Sequence, residues 1–214
     1  ANDLKMSSEW KDKILMAVDK APPSEINLNQ EPGSRSDFDL IDHPSERFDP
    51  LSLKPASVVV GIVEEEIPKL FLTKRSDQLE QHSGQIAFPG GKVEKNESFT
   101  DAAIREAEEE VGLKVSDFEI CGYLDTYETG TGYRILPVVG FIKPDFIATI
   151  DTNEVAETFQ VPFDFLMDSK NHKLQSAEWK GIIRKFYTIS YESYKIWGAT
   201  AGMIRNLHER IERL

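Results

Sequence analysis

One cysteine, Cys121, stands alone in the 214-residue chain. A single thiol excludes a disulfide framework and a cysteine-rich zinc centre, and it fits a reducing, cytoplasmic compartment. Positive charge is also scarce: 25 Lys and Arg against 37 Asp and Glu leave a formal net charge of −12. That balance disfavours nucleic acid and anionic membrane surfaces as partners, since both bind through surplus lysine and arginine. It leaves room for an anionic small substrate, because a divalent cation can invert the field locally. Long hydrophobic runs are missing too, so nothing is expected to span a bilayer. The opening "ANDLKMSSEWKDKILMAVDK" intersperses Asp3, Glu9, Asp12 and Asp19 among its lysines. Without an apolar core it reads as neither signal nor transit peptide.

What is present is enough to build a core: 40% apolar residues, with 12 Phe and three Trp. The length suits one sizeable domain with extensions. Residues 1–50 read as an N-terminal helix and an irregular arm, and 51–214 as the compact domain. Trp10, Ile14, Leu15 and Val18 lie at helical spacing, which predicts a short amphipathic helix that packs on the main domain or across a homodimer. From Ala21 to Pro50 the chain is rich in Pro, Ser, Asp and Asn without a sustained period. Strands are then predicted at "ASVVVGIV", "PKLFLTKR", "GQIAF", "FEICGYLDTY", "YRILPVVGFI", "KFYTISY" and "YKIWG". A final helix runs from about Ala199 to Arg213, with Met203, Ile204, Leu207 and Ile211 on one face. Strands punctuated by a few helices make a mixed α+β pattern. Trp197, just before that helix, is expected in the core.

The densest chemistry lies in "GKVEKNESFTDAAIREAEEEVGL", from Gly91 to Leu113. Ser98 is a good N-cap with Asp101 three residues on, and Gly112 is placed to end the helix in a left-handed turn. Between them Ala103, Ile104, Ala107 and Val111 form an apolar stripe, while Glu106, Glu109 and Glu110 share another face. Glu108 points elsewhere. Three like charges on one face repel, with only Arg105 near in sequence. Either they form a solvated face, or they gather around a hard cation such as Mg²⁺, which prefers carboxylate oxygen. Gly90 and Gly91 let the preceding backbone approach closely and expose a carbonyl as a further ligand.

The same residues resemble a complete Nudix box: Gly, five residues, Glu, seven residues, then Arg-Glu-U-x-Glu-Glu-x-Gly-U, where U is apolar. Gly91, Glu97, Arg105, Glu106, Glu109, Glu110, Gly112 and Leu113 occupy the specified positions, with Ala107 as a small U. The resemblance implies an α/β/α sandwich in which a mixed sheet carries a loop-helix-loop catalytic motif. It implies a hydrolase that cuts a diphosphate using Mg²⁺ or Mn²⁺. It also implies that Glu106, Glu109 and Glu110 are metal ligands joined by the Gly90 carbonyl, and that Arg105 and Glu97 orient them. One glutamate activates the water instead, and which one differs among members. Downstream, Glu154 and Glu157 in "TNEVAETF" are further acidic candidates on an expected loop.

Just upstream, "LTKRSDQLEQHSGQIAFPGG" resembles the signature of the coenzyme A pyrophosphatase branch: Leu-Thr-x-Arg-Ser/Ala, then Arg, Gly and Phe-Pro-Gly-Gly at spacings of three. Leu72, Thr73, Arg75, Ser76, Gly84, Phe88, Pro89, Gly90 and Gly91 fit, whereas Glu80 stands where the signature has arginine. "TGYRILPVVG" and "YKIWGATAGMIRNL" are similar to the same branch. Coenzyme A bears a diphosphate and a 3′-phosphate, so cations beyond the metal are expected, and Arg75, Lys74, Lys92 and Arg134 are the candidates. His82 is expected to be a structural hydrogen-bonder. Three readings follow: a coenzyme A diphosphatase, a Nudix hydrolase for another nucleoside diphosphate compound such as ADP-ribose or a dinucleotide, and a non-catalytic nucleotide-binding module. The first leads, Glu80 is the best support for the second, and the intact glutamates oppose the third.

Overall fold

The computed structural model of the protein describes residues 8–24, 28, 35–40, 49–80, 82–179 and 181–214. Most of the irregular arm expected over 21–50 lies outside these residues. Two long strands set the architecture: β2 (Lys54–Val63) and β8 (Tyr133–Ile142). They run parallel in unbroken register from Lys54 opposite Tyr133 to Val63 opposite Ile142. A central parallel pair has both faces covered, which is why these strands are largely continuous apolar runs rather than alternating ones. Period-two geometry then feeds two cores. Val58, Val60, Ile62, Val139 and Phe141 enter one, and Val59, Val63, Leu136, Val138 and Ile142 enter the other.

Helices close both faces. α2 (Phe99–Val111) covers the second core with Ala103, Ala107 and Val111. α1 (Ser8–Ala17), the short α3 (Phe163–Leu166) and α4 (Gly198–Glu212) cover the first. The result is the expected α/β/α sandwich with a mixed sheet. Its further strands are β1 (Arg35–Ser36), β3 (Lys69–Arg75), β4 (Ile86–Ala87), β5 (Gly90–Lys92), β6 (Phe118–Tyr123), β7 (Tyr127–Glu128) and β9 (Val155–Pro162). The strand order is β1-β7-β8-β2-β3-β4, with β5 also on β2, β6 on β8 and β9 on β3. A separate antiparallel sheet follows: β10 (Lys173–Trp179), β11 (Ile182–Tyr191) and β12 (Tyr194–Trp197).

Three features depart from the sequence expectation. The "TNEVAETF" segment is not a loop throughout, because β9 begins at Val155 and pairs along β3. Its exposed Ala156 and Glu157 hide the apolar alternation that marks a strand. β10 was equally unreadable, since "KLQSAEW" is largely polar and is held by pairing with β11. Within the arm, Arg35–Ser36 joins the main sheet parallel to β7. Backbone bonds from Arg35 N–H to the Thr126 carbonyl (3.0 Å) and from Asp37 N–H to that of Glu128 (2.9 Å) make this contact. Two residues of backbone pairing leave no periodic trace in a sequence.

α1 is part of the same core. Ile14 is fully buried, Ala17 and Val18 join it, and the Trp10 ring meets Phe163 edge-on at 5.1 Å. Ile14→Ala should therefore cost about 2–5 kcal/mol of unfolding free energy in a urea titration. A loss under about 1 kcal/mol would show that α1 merely rests on the surface.

Candidate active site

The glutamate-bearing helix begins and ends where its caps dictate. Ser98 Oγ accepts the Asp101 N–H at 3.0 Å, and Gly112 closes the helix at φ 73°. Phe99, Ala102, Ala103, Ala107 and Val111 are buried against the sheet, and Ile104 is half-buried. This orientation spreads the three acids of the other face across a gradient of burial. Glu110 is only 7% exposed, Glu106 is intermediate, and Glu109 is exposed, as is Glu108.

Arg105 ties that face to the loop before it. Its Nε and Nη2 donate to the two Glu97 oxygens at 2.8 and 3.0 Å. Nη2 also donates to the Lys92 carbonyl at 3.0 Å, and Nη1 reaches Glu106 at 2.9 Å and Glu109 at 3.4 Å. The planar guanidinium fork suits this multidentate role, which an ammonium could not fill. These bonds hold Glu97 below the usual carboxylate range. The glycines supply the close approach expected of them. A side chain at Gly91 would lie 2.5 Å from the Glu106 carboxyl carbon, and one at Gly90 would lie 2.3 Å from the Ser57 carbonyl oxygen. Gly90 N–H instead donates to Glu110 at 3.3 Å.

The cluster is overcharged. Burial raises the Glu106 carboxyl above its ordinary range, against the pull of Arg105 and with repulsion from Glu109 and Glu154. Burial pushes Glu110 up to about 8, with Gly90 N–H and Arg75 lowering it and Glu106 and Glu154 raising it. Glu154, in the turn just before β9, is thus brought to the cluster, whereas Glu157 turns away to bond the Tyr194 hydroxyl. Among the described residues no three acidic, histidine or cysteine side chains stand close enough to cage an ion as they are. Glu106 and Glu110 each spend an oxygen on a protein donor. The donor chemistry nevertheless suits a hard cation: carboxylates only, one of them buried, with a backbone glycine alongside.

Beside the cluster lies a cleft of about 870 Å³. Arg75, Lys92, Glu80 and His82 line it on the side of the loop. The Arg75 Nε is buried and has no hydrogen-bond partner among the described residues. His82 Nδ1 and Gln85 Oε1 bond at 3.0 Å, the expected structural role. Two expectations need correction. Arg134 is not in the cleft: it is 1% exposed, donates to the Leu28 carbonyl and faces Glu128 at 3.5 Å. Its charge is used to fasten the segment at Leu28 to the sheet. Trp197 is not core: it is 41% exposed and lines the cleft. The hairpin β11–β12 forms a wall there, a placement that depends on its pairing with the polar strand β10. Asp37 also borders the cleft, held by the Tyr127 hydroxyl at 2.6 Å and Gly130 N–H at 2.7 Å.

Residues 53–180 match the NUDIX domain family. The chain is 38% identical over 173 residues to the Nudix hydrolase NudL of Shigella flexneri serotype 5b (strain 8401), covering 80% of this chain and 90% of that one. It is 38% identical over 174 residues to NudL of Enterobacter sp. (strain 638), with the same coverage. Among solved structures it is similar to the MutT protein of Methanosarcina mazei Go1, at 18% identity and TM-score 0.49, covering 75% of this chain and 94% of that one.

Glu110 generates a stability prediction. The folded protein keeps its proton up to about 8, whereas an ordinary glutamate releases it near 4.5. The folded state then binds more protons than the unfolded one across that window, so this group's contribution to stability falls as pH rises through it. Glu110→Gln is neutral throughout and should escape the loss. In EDTA its thermal midpoint should exceed that of the wild type at pH 8, by about 2–4 °C for each kcal/mol relieved. The difference should shrink towards pH 5. Equal midpoints at pH 8 would mean that no uncompensated charge is buried there.

Proposed function

The chain belongs to the NUDIX family and is a Nudix hydrolase, a diphosphatase, and from that premise we propose that it splits the diphosphate of coenzyme A or its acyl derivatives. The products are 3′,5′-ADP and 4′-phosphopantetheine or its acyl form. One observation carries this reading. The segment from Leu72 to Gly91 that resembles the coenzyme A branch forms the wall of the cleft beside the glutamates, contributing Arg75, Gln85, Phe88 and Gly90 to its lining.

Nudix enzymes use divalent ions such as Mg²⁺ or Mn²⁺. The carboxylates of Glu106, Glu109 and Glu110, with the Gly90 carbonyl, are the residues that would hold them. A bound divalent ion supplies charge neutralisation for the diphosphate and a lower pKa for the attacking water. The chain's own residues do the rest. Arg105 and Glu97 hold the acidic face against the loop, so that its carboxylates are prepositioned. One of Glu106 and Glu109, whose carboxylates bond the Arg105 side chain, takes the water proton in place of holding metal, whereas Glu110 accepts the Gly90 N–H. Arg75 and Lys92 meet phosphate oxygens as the charge on the leaving phosphate grows.

A second reading, hydrolysis of ADP-ribose or a dinucleotide, rests on Glu80. It lines the cleft where the branch signature has arginine, and a carboxylate there opposes an additional phosphate. A panel of coenzyme A, acetyl-coenzyme A, ADP-ribose, NADH and a diadenosine polyphosphate, compared by kcat/KM with Mg²⁺, separates the two. We expect coenzyme A to lead, with 3′,5′-ADP as product. A lead for any substrate lacking the 3′-phosphate would transfer the assignment to the second reading.

Glu109 is exposed and outside both cores, so Glu109→Gln should leave the thermal midpoint within about 1 °C while lowering kcat about 100-fold or more. Near-normal turnover at saturating Mg²⁺ would remove Glu109 from the machinery.

A further inference from the structure

The cleft is larger than a diphosphate requires. It extends from Gly90 and Lys92 beside the glutamates to the β11–β12 hairpin. The pleat decides which hairpin side chains face it. Arg184 and Phe186 are two apart on β11, Lys195 and Trp197 two apart on β12, and Thr188 pairs opposite Trp197. All four therefore share one face of the second sheet. That face lines the cleft.

The four are not equivalent. Arg184 is engaged by the arm, its guanidinium 5.2 Å from the Phe38 ring centre and electrostatically coupled to Asp37. Trp197 is left open, with Phe186 edge-on at 5.8 Å and 61° fixing the tilt of its ring. An indole exposed to a cleft, and braced from the side rather than covered, is a stacking platform for a planar ring. Lys195 is exposed on the same strand and in the same cleft. Two residues along a strand span about 6.6 Å, close to the separation of a purine ring from a phosphate on its ribose. Glu178 and Glu80 also line the cleft, so the positive charge is local rather than general.

We propose that this face is a nucleotide subsite. A purine base stacks on Trp197, and a phosphate carried by its ribose meets Lys195, so the substrate is gripped at the end remote from the glutamates. The proposal rests on the coenzyme A reading for the identity of the ribose phosphate, and on the geometry alone for the base.

Calorimetric titration of the protein with 3′,5′-ADP and with 5′-AMP, in the presence of Mg²⁺, tests it. Neither ligand has a diphosphate to cut, so binding is read without turnover. Wild type should bind 3′,5′-ADP about tenfold more tightly than 5′-AMP. Lys195→Met should abolish that preference while leaving 5′-AMP within about twofold of wild type. Trp197→Ala should weaken both ligands about tenfold, and Trp197→Phe should restore most of the loss. Circular dichroism checks that each variant is folded. Folded variants that bind both ligands within about twofold of wild type would overturn the proposal, as would a Lys195→Met effect equal on both ligands. A wild type that fails to hydrolyse coenzyme A would overturn the substrate reading and leave the base platform standing.

Discussion

The Arg105 guanidinium is the contact on which the site depends. It sits on the acidic face of α2 and reaches across to Glu97 and to the Lys92 carbonyl, so one planar group spans helix and loop. Burial works against its charge, but its bonds to Glu97 and Glu106 outweigh that and hold it firmly protonated. Without a fixed cation here, Glu97, Glu106 and Glu109 would repel one another, and the loop beyond β5 would lose its side-chain tie to the helix. The arrangement is asymmetric in a useful way. Arg105 satisfies the acids nearest the surface, and it leaves Glu110, the buried one, compensated only by Gly90 N–H and the more distant charge of Arg75.

That asymmetry needs a rigid floor. β5 pairs antiparallel with β2, placing Gly90 opposite Val58 and Gly91 opposite Ser57. β2 is locked in turn to β8 by ten paired residues with apolar cores on both sides. Interiors packed in this way resist small displacements, so the loop backbone cannot drift away from the carboxylates. Gly90 and Gly91 are the positions where the fold lets sheet, loop and helix come within contact of each other, and any side chain would force them apart.

How much of this could be read from the sequence follows from the range of the interactions. The caps, apolar stripe and acidic face of α2 are local, determined by residues three or four apart, and they were legible from Ser98 to Gly112. The central strands were legible because burial on both faces makes them largely continuous apolar runs. β9, β10 and the β1 contact were not, since each is held by backbone pairing with distant partners and carries a polar or very short sequence. Missing β10 meant missing the second sheet as a unit, and with it the exposure of Trp197. Arg134 failed for a related reason. Arginine suits bidentate phosphate contacts, which made it a candidate, but the fold brings the distant Leu28 carbonyl, and the β7–β8 pairing brings Glu128, to its buried guanidinium.

The net charge of −12 looks hostile to a polyanionic substrate, and the structure shows why the total is a poor guide. Field at a site depends on the charges within a Debye length, about 8 Å at physiological salt. Arg75, Lys92, Arg184 and Lys195 line the cleft beside the glutamates, with Asp37, Glu80 and Glu178 in the same lining. Burial, with repulsion from neighbouring acids, raises Glu106 and Glu110 above the ordinary carboxylate range. A divalent cation held by these carboxylates would favour their ionised form and bring the positive charge that a diphosphate needs. On the proposed reading, metal binding and substrate binding would then be linked electrostatically, each favouring the other.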